Sequence, residues 1–470
     1  MYRQHPQRTR TDCYRPGRAR FGGSGAGCLP FRDRRRDRLV THGRKKQVNE
    51  QLALFGGPKA VCTPLPTFLD SAGRTFGREE EDLVLQTLRS GCLSRNGGTM
   101  VKSFEKDFAA HLGVGRAVAC SSGTAAVHLA VAALDPEPGD EFIVPPITDI
   151  GSLVPALWQN CIPVFADVNP DTMNIDPDSV EQNITDRTRA IIAVHLAGQP
   201  CEMARLRAIA DQHHIALIED CAQAYWAKYD GKLVGTLGDI ACFSLQQSKH
   251  ITCGEGGIMV TSRPEFADRA ILFADKAWPR DTKNLSAARF LFLAQNYRMS
   301  ELQGAVALGQ LPKVAGVAER RRQSAQRLSQ MIAGMPGVRP PRVPSNTDPS
   351  YWLYMLRIDE RRAGVPTQQF GEALVAEGVP CWVRYIVKPL YFSSLFSEMH
   401  TFGSSHYPFS SYGRQEYKAG LCPRAEEVLG EVIAIHWNEN YRETHVEQIG
   451  AAITKVARHY AAEAAGGSAR

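Results

Sequence analysis

Ala117-Val118-Ala119-Cys120-Ser121-Ser122-Gly123-Thr124-Ala125-Ala126 changes character twice in ten residues. A short apolar run reads as a buried strand. Small polar residues break it, and Ala125–Leu134 resumes as strong helix former. A strand that turns directly into a helix is half of a βα unit. Its helix N-terminus has free N–H groups and a positive dipole end, and small residues there let an anion approach the backbone. Gly123, Thr124 and Ala125 are therefore candidate phosphate contacts. Ser and Thr are also ordinary helix caps, so the stretch alone does not decide between the two uses. The lysine of a G-x-x-x-x-G-K-[ST] loop is missing.

Further strands and helices alternate on both sides. Strands are expected at Phe142–Val144, Pro163–Val168, Ala190–Leu196, Ala216–Glu219, Ile240–Leu245 and Gly257–Thr261. Helices are expected at Glu79–Arg89, Val101–Leu112 and Glu202–His213. Continuous apolar strands between helices imply an α/β protein with a mostly parallel sheet covered on both faces. Ser300–Ser329 reads as helical with a break at Pro312, and Arg320-Arg321-Arg322 is expected on its solvated face. Pro336–Pro349 reads as a linker. A smaller α/β domain follows, with strands Trp352–Ile358 and Val432–His436 and helices Gln368–Glu377 and Glu443–Tyr460. The expected division is a disordered Arg-rich tail at 1–46, a large domain with its N-terminal segment at 47–315 and a small domain at 316–470.

Charge supports that division. Of 55 Lys+Arg and 49 Asp+Glu, 14 bases and three acids lie in residues 1–46, a net +11. The remaining 41 bases and 46 acids make the body −5, so nucleic acid is not an expected partner of the body. No apolar run is long enough to span a membrane, and no signal-peptide core follows the early arginines. The 12 cysteines include no Cys-x-x-Cys, and several sit inside apolar runs. A reducing, cytoplasmic setting without a metal site is expected.

Two more features fall at or just beyond strand ends, where open α/β sheets place ligands. Glu219-Asp220-Cys221-Ala222-Gln223 ends one strand. A buried Asp220 suits a protonated pyridine nitrogen, and Gln223 suits an oxygen on the same ring; a strand-terminal acid is the plainer reading. Ser244-Leu245-Gln246-Gln247-Ser248-Lys249 ends another. An enclosed Lys249 would have a lowered pKa and could form a Schiff base, although most lysines are surface residues. A phosphate cradle, an acid for a pyridinium and a Schiff-base lysine together are the fixtures of pyridoxal 5'-phosphate (PLP).

The ordered series Ser122-Gly123-Thr124-Ala125-Ala126, Val194-His195-Leu196, Glu219 to Ala224, Phe243-Ser244 with Lys249, Gly254-Glu255-Gly256-Gly257 and Asn296-Tyr297-Arg298-Met299-Ser300-Glu301 resembles the DegT/DnrJ/StrS family of sugar aminotransferases, over about residues 51–460. The resemblance implies a fold type I PLP-dependent transferase. It implies Lys249 as aldimine lysine and acid–base, Asp220 on the pyridine nitrogen and Gln223 on the ring oxygen. Gly123, Thr124 and Ser244 would hold the phosphate, with Ala125 beside them. Asn296 would reach the neighbouring subunit's phosphate, so a homodimer with shared active sites is implied. The implied reaction moves an amino group from Glu or Gln to a ketone of a keto-sugar nucleotide or a keto-cyclitol, in amino-sugar or aminocyclitol biosynthesis. The alternative is a catalytically silent relative used in regulation or assembly. One departure stands out: Asp149 occupies the position where the family usually has an aromatic residue stacked on the ring. Arg298 and Arg384 are candidates for binding a carboxylate or diphosphate, or for structural ion pairs. Tyr351–Tyr354 and Trp382–Tyr385 are candidates for the acceptor pocket or for core.

Overall fold

The computed structural model describes residues 51–280 and 290–467. The tail expected at 1–46 lies outside them. The strands are β1 (Arg116–Cys120), β2 (Glu141–Val144), β3 (Ile162–Phe165), β4 (Thr188–Val194), β5 (Ala216–Asp220), β6 (Lys228–Tyr229), β7 (Lys232–Leu233), β8 (Ile240–Ser244), β9 (Gly257–Thr261), β10 (Val338–Arg339), β11 (Thr347–Asp348), β12 (Leu353–Ile358), β13 (Cys381–Val383) and β14 (Val432–His436).

Seven of them form one sheet in the order β1-β9-β8-β5-β4-β2-β3. Pairs β2–β3, β2–β4, β4–β5 and β5–β8 are parallel, and β9 runs antiparallel to both β1 and β8. The parallel sheet expected from the alternation is therefore reversed only at β9. Every residue of β2, β3, β8 and β9 is buried, as a sheet covered on both faces requires. The helix Gly123–Ala133 is buried along nearly its whole length and packs on the sheet, which explains its almost unbroken Ala, Val and Leu composition.

A four-stranded antiparallel sheet, β10-β12-β14-β13, is backed by the helices Val314–Ile332, Thr367–Ala376 and Glu443–Gly467. Leu52 and Val61, at the start of the N-terminal segment, pack into this second core, while Arg74 further along it bonds to the turn at Gln247 and Lys249. The Pro-rich stretch is also more than a connector. Val338 pairs with Ile358 in the small sheet, while Thr347 pairs with Tyr229 in a three-stranded β11-β6-β7 sheet.

The break at Pro312 is present: helix Glu301–Gln310 passes through a 3₁₀ turn, Leu311–Lys313, into Val314–Ile332. The arginine run on that second helix is not all solvated. Arg321 is 1% exposed and pairs with Glu439 at 2.7 Å. It lies in helical register with Val314, Val317, Ala318, Ala325 and Leu328, all buried, so the period puts it on the core face. Among the described residues no helix is long and apolar enough to cross a membrane.

Candidate active site

The ends of β1, β2, β5 and β8 open onto one cavity of about 450 Å³, within the usual size of a small-molecule site. Gly123, Thr124, Asp220, Gln223, Ser244 and Lys249 all line it. Six of the eight residues singled out by sequence are thus brought together, and Ala125 and Asn296 are not among them.

At the end of β1, Ser122 caps the helix. Its Oγ accepts from the Ala125 N–H at 3.0 Å, and its carbonyl accepts from Ala126. This removes Ala125 as a ligand: its N–H is used by the cap and its side chain is buried. The N–H groups of Gly123 and Thr124 have no partner among the described residues, which leaves two donors at the positive end of a helix. The cradle is tight. A Cβ at Gly123 would lie 2.6 Å from the Ser244 Cβ, and one at Gly151 would lie 2.4 Å from the Thr124 hydroxyl. Only glycine lets the backbone come that close.

Asp220 is buried at the end of β5. Its carboxylate accepts from the Ser152 hydroxyl at 2.7 Å and from the Ala222 N–H at 3.0 Å. Ser152 in turn receives the Thr148 hydroxyl at 2.8 Å. Burial pushes the Asp220 pKa up, while these hydrogen bonds and the nearby Lys249 act against the rise. Gln223 is oriented through its oxygen, which accepts from the Ala197 N–H at 2.7 Å. Its amide nitrogen, 3.4 Å from the Tyr385 hydroxyl, remains a donor on the cavity side.

Lys249 ends the turn after β8. Its Nζ lies 4.1 Å from the centroid of the Trp352 ring. Burial lowers its pKa from 10.5 to about 8, with Asp220 and then Asp149 opposing. Asp149 lines the cavity too, exposed, with one oxygen accepting from the Gly151 N–H at 2.8 Å. The aromatic residues at this cavity come from elsewhere: Phe68, Phe243, Trp352 and Trp382. Trp352, Trp382, Tyr385 and Arg384 also line an adjoining cavity of about 750 Å³ that shares Lys249 and Asp149. Tyr354, by contrast, is core, with its hydroxyl bonded to Ser329.

Asn296 is exposed and bridges to Asp275 outside the cavity. Arg298 pairs with Asp275, which makes it a structural ion pair rather than a cavity residue. Ser152 and Thr148 were missed by sequence reasoning. They follow a strand end, as the other site residues do, but nothing in their spacing links them to Asp220.

His195, Glu219 and Cys221 bring three metal-ligating atoms within 4.8 Å of one another. Their bonding is already used. Glu219 accepts from the N–H groups of Gly235, Leu237 and Gly238 and from His195 Nε2. His195 Nδ1 accepts from the Cys201 N–H at 3.0 Å, and burial pushes the Cys221 thiol pKa up. The cluster is a buried brace beneath the site.

The cavity fits PLP on its own chemistry. Free N–H groups and the Ser244 hydroxyl suit a phosphate. A buried carboxylate suits a pyridinium, an amide donor suits a ring oxygen, and a lysine amine of lowered pKa suits an aldehyde.

Comparison with known proteins agrees. Residues 75–454 match the DegT/DnrJ/EryC1/StrS aminotransferase family. An L-glutamine:2-deoxy-scyllo-inosose aminotransferase from Streptomyces paromomycinus is 34% identical over 425 residues, covering 88% of this chain and 99% of that protein. GDP-perosamine synthase from Caulobacter vibrioides is 37% identical over 297 residues, covering 63% and 78%. Among solved structures, S. venezuelae DesV in complex with a ketimine intermediate superposes with a TM-score of 0.71 at 29% identity, covering 81% of this chain and 94% of DesV.

Proposed function

The chain belongs to the DegT/DnrJ/EryC1/StrS aminotransferase family, a family of fold type I PLP-dependent enzymes, and from that premise we propose that it moves an amino group from glutamine to the ketone of a polyol ring, a keto-cyclitol, in aminocyclitol biosynthesis. The observation that carries the reading is the meeting of Lys249, Asp220 and the Gly123–Thr124–Ser244 cradle in one cavity.

When bound, the cofactor supplies an electrophilic carbon for amines and a sink for the electron pair left by a departing proton. The remaining work falls to this chain. The Gly123 and Thr124 N–H groups and the Ser244 hydroxyl would hold the phosphate. Asp220, oriented by Ser152 and Ala222, would face the pyridine nitrogen, where its negative charge would favour the protonated form. Gln223 would donate to the ring oxygen through its amide nitrogen. Lys249 Nζ takes the α-proton of the amino donor and later returns a proton to the acceptor carbon. One positioned acid–base group of this kind contributes roughly 10²–10⁴-fold. In the cofactor-free cavity burial already lowers the pKa of this amine to about 8.

Glutamine as donor and a cyclitol as acceptor are supported by the relatives that align over nearly their whole length. Asp149 and Arg384 beside the aromatic wall offer hydrogen bonds to ring hydroxyls. A nucleotide-linked keto sugar is the second acceptor class, supported by the GDP-perosamine relative. We further propose a homodimer in which Asn296 serves the partner's cavity, in the cytoplasm. Leu291 and Leu293 beside Asn296 are 53% and 92% exposed in the single chain, apolar surface that a second copy would cover.

The test is an absorbance spectrum of the protein supplied with PLP, before and after glutamine or glutamate. A visible band that glutamine bleaches, that a keto-cyclitol restores and that Lys249→Ala lacks is the expected result. Failure to acquire a band would leave a catalytically silent relative. Restoration only by a nucleotide-linked keto sugar would reassign the acceptor.

A further inference from the structure

The turn that carries Lys249 is held from outside the seven-stranded sheet. Three consecutive carbonyls, those of Gln247, Ser248 and Lys249, each accept from a side chain distant in sequence. Arg74 Nη1 donates to the Lys249 carbonyl at 2.9 Å, and its Nη2 donates to the Gln247 carbonyl. Trp352 Nε1 donates to the Ser248 carbonyl at 2.9 Å, while the same indole lies under the Lys249 amine. Gln247 Nε2 reaches back to the Phe68 carbonyl at 2.8 Å, which also accepts from Arg74 Nε at 3.3 Å.

Arg74 is only 8% exposed, and among the described residues no carboxylate lies within ion-pair distance of it. Burial pushes its pKa down to about 10, against the attraction of Glu439. A buried cation that lacks a direct partner is costly, and a neutral side chain would fill the space at less cost. What the guanidinium adds is geometry: a planar fork that grips two carbonyls of one turn. The segment that presents it is anchored in turn. Asn438 donates to the Gly73 carbonyl at 3.1 Å and Asn440 to the Ala72 carbonyl at 2.8 Å, both from the loop after β14. Gly73 also closes this segment against Thr67, where a Cβ would lie 1.8 Å from the Thr67 carbonyl oxygen.

We propose that Arg74 and Trp352 are positioning residues for Lys249: they fix the peptide planes of residues 247–249, and so the direction in which the lysine side chain leaves the backbone. This rests on Lys249 being the reacting amine. Misplacing a reacting group by about 1 Å can cost about 100-fold in rate.

The test uses the full chain with Arg74→Met, Arg74→Lys and Trp352→Phe. In Arg74→Met loaded with PLP, kcat should fall about 100-fold while KM for glutamine stays within about threefold. Arg74→Lys, which keeps one charged donor, should recover part of the loss. Trp352→Phe, which keeps the ring and drops the donor, should lose less than Arg74→Met. Without cofactor, amide hydrogen exchange at 246–252 should quicken at least about tenfold in Arg74→Met, with β4 unchanged. A kcat within threefold of wild type in cofactor-loaded Arg74→Met overturns the proposal. So does unchanged exchange at 246–252, or faster exchange spread evenly through β4 with turnover per loaded site retained. If wild type never binds PLP, the functional reading falls, and exchange in the cofactor-free variants still decides whether Arg74 holds the turn.

Discussion

Glu219 and Asp220 are neighbours on β5 and both are buried, yet the two faces of the strand use them differently. Glu219 has every acceptor position engaged, by three backbone N–H groups and a histidine. Asp220 has two partners and a side open to the cavity. A carboxylate whose hydrogen bonds close on the fold is part of the fold. One held by two bonds and left facing a cavity is available to a ligand. Strand alternation is what separates the two roles by one residue.

The comparison breaks most completely at the group Asp220 faces. Lys249→Ala should lower turnover about 10⁴-fold, at the upper end of what acid–base catalysis supplies, because the cofactor's attachment goes with it. The melting temperature should change little. Turnover and melting measured on the same preparation check this, and an active Lys249→Ala protein would end the assignment.

Next in size is the pair itself. Asp220→Asn should cut turnover by about 10²–10³-fold, the usual cost of one electrostatic contact at a reacting site. Its amide oxygen can still accept from Ala222, and Ser152 can reverse its hydroxyl, so stability should hold within about 1 kcal/mol. Glu219→Gln should do the opposite. Either orientation of the amide sets its NH₂ against two donors, for a loss of about 3 kcal/mol in denaturant unfolding. Turnover per folded molecule should remain within a few-fold. If both variants lose stability alike and neither loses turnover, the division between the faces is wrong.

Much of this was legible from the residues. The strands read as apolar runs, the break at Pro312 follows from a ring that cannot donate, and Gly123, Asp220, Ser244 and Lys249 stand at strand ends or in the turns beyond them. Other parts needed three dimensions. A run of arginines reads as solvated, yet the helical period puts Arg321 on the core face, where Glu439 supplies its charge partner. Ala125 stands in the same small-residue run as Gly123 and Thr124, and only the fold shows that its N–H is bonded to Ser122. Ser152 and Arg74 act on residues 68 and 175 positions away, and no local pattern announces such contacts. The Pro-rich stretch contributes strands because pairing depends on where the partner edge lies.

The smallest effect sharpens the comparison most, because it asks whether the two faces of β5 also differ electrically. In the cofactor-free protein burial favours the neutral Lys249 amine and lowers its pKa from 10.5 to about 8. Its labelling by an amine-specific reagent should therefore rise about tenfold per pH unit up to about pH 8 and level off above it. Between pH 8 and 10.5 the unfolded chain holds a proton that the folded protein has released, so this lysine makes stability increase with pH across that window and contributes no slope below it. Asp220 and then Asp149 hold the value up, so Asp220→Asn should shift the levelling point to lower pH. Asp149→Asn should shift it the same way by less, since an exposed carboxylate is screened by water. Glu219→Gln should leave it in place, because the charge of Glu219 is spent on the loop behind the strand. A shift with Glu219→Gln as large as that with Asp220→Asn would show that both carboxylates act on the lysine and that the faces of β5 are not electrically separate.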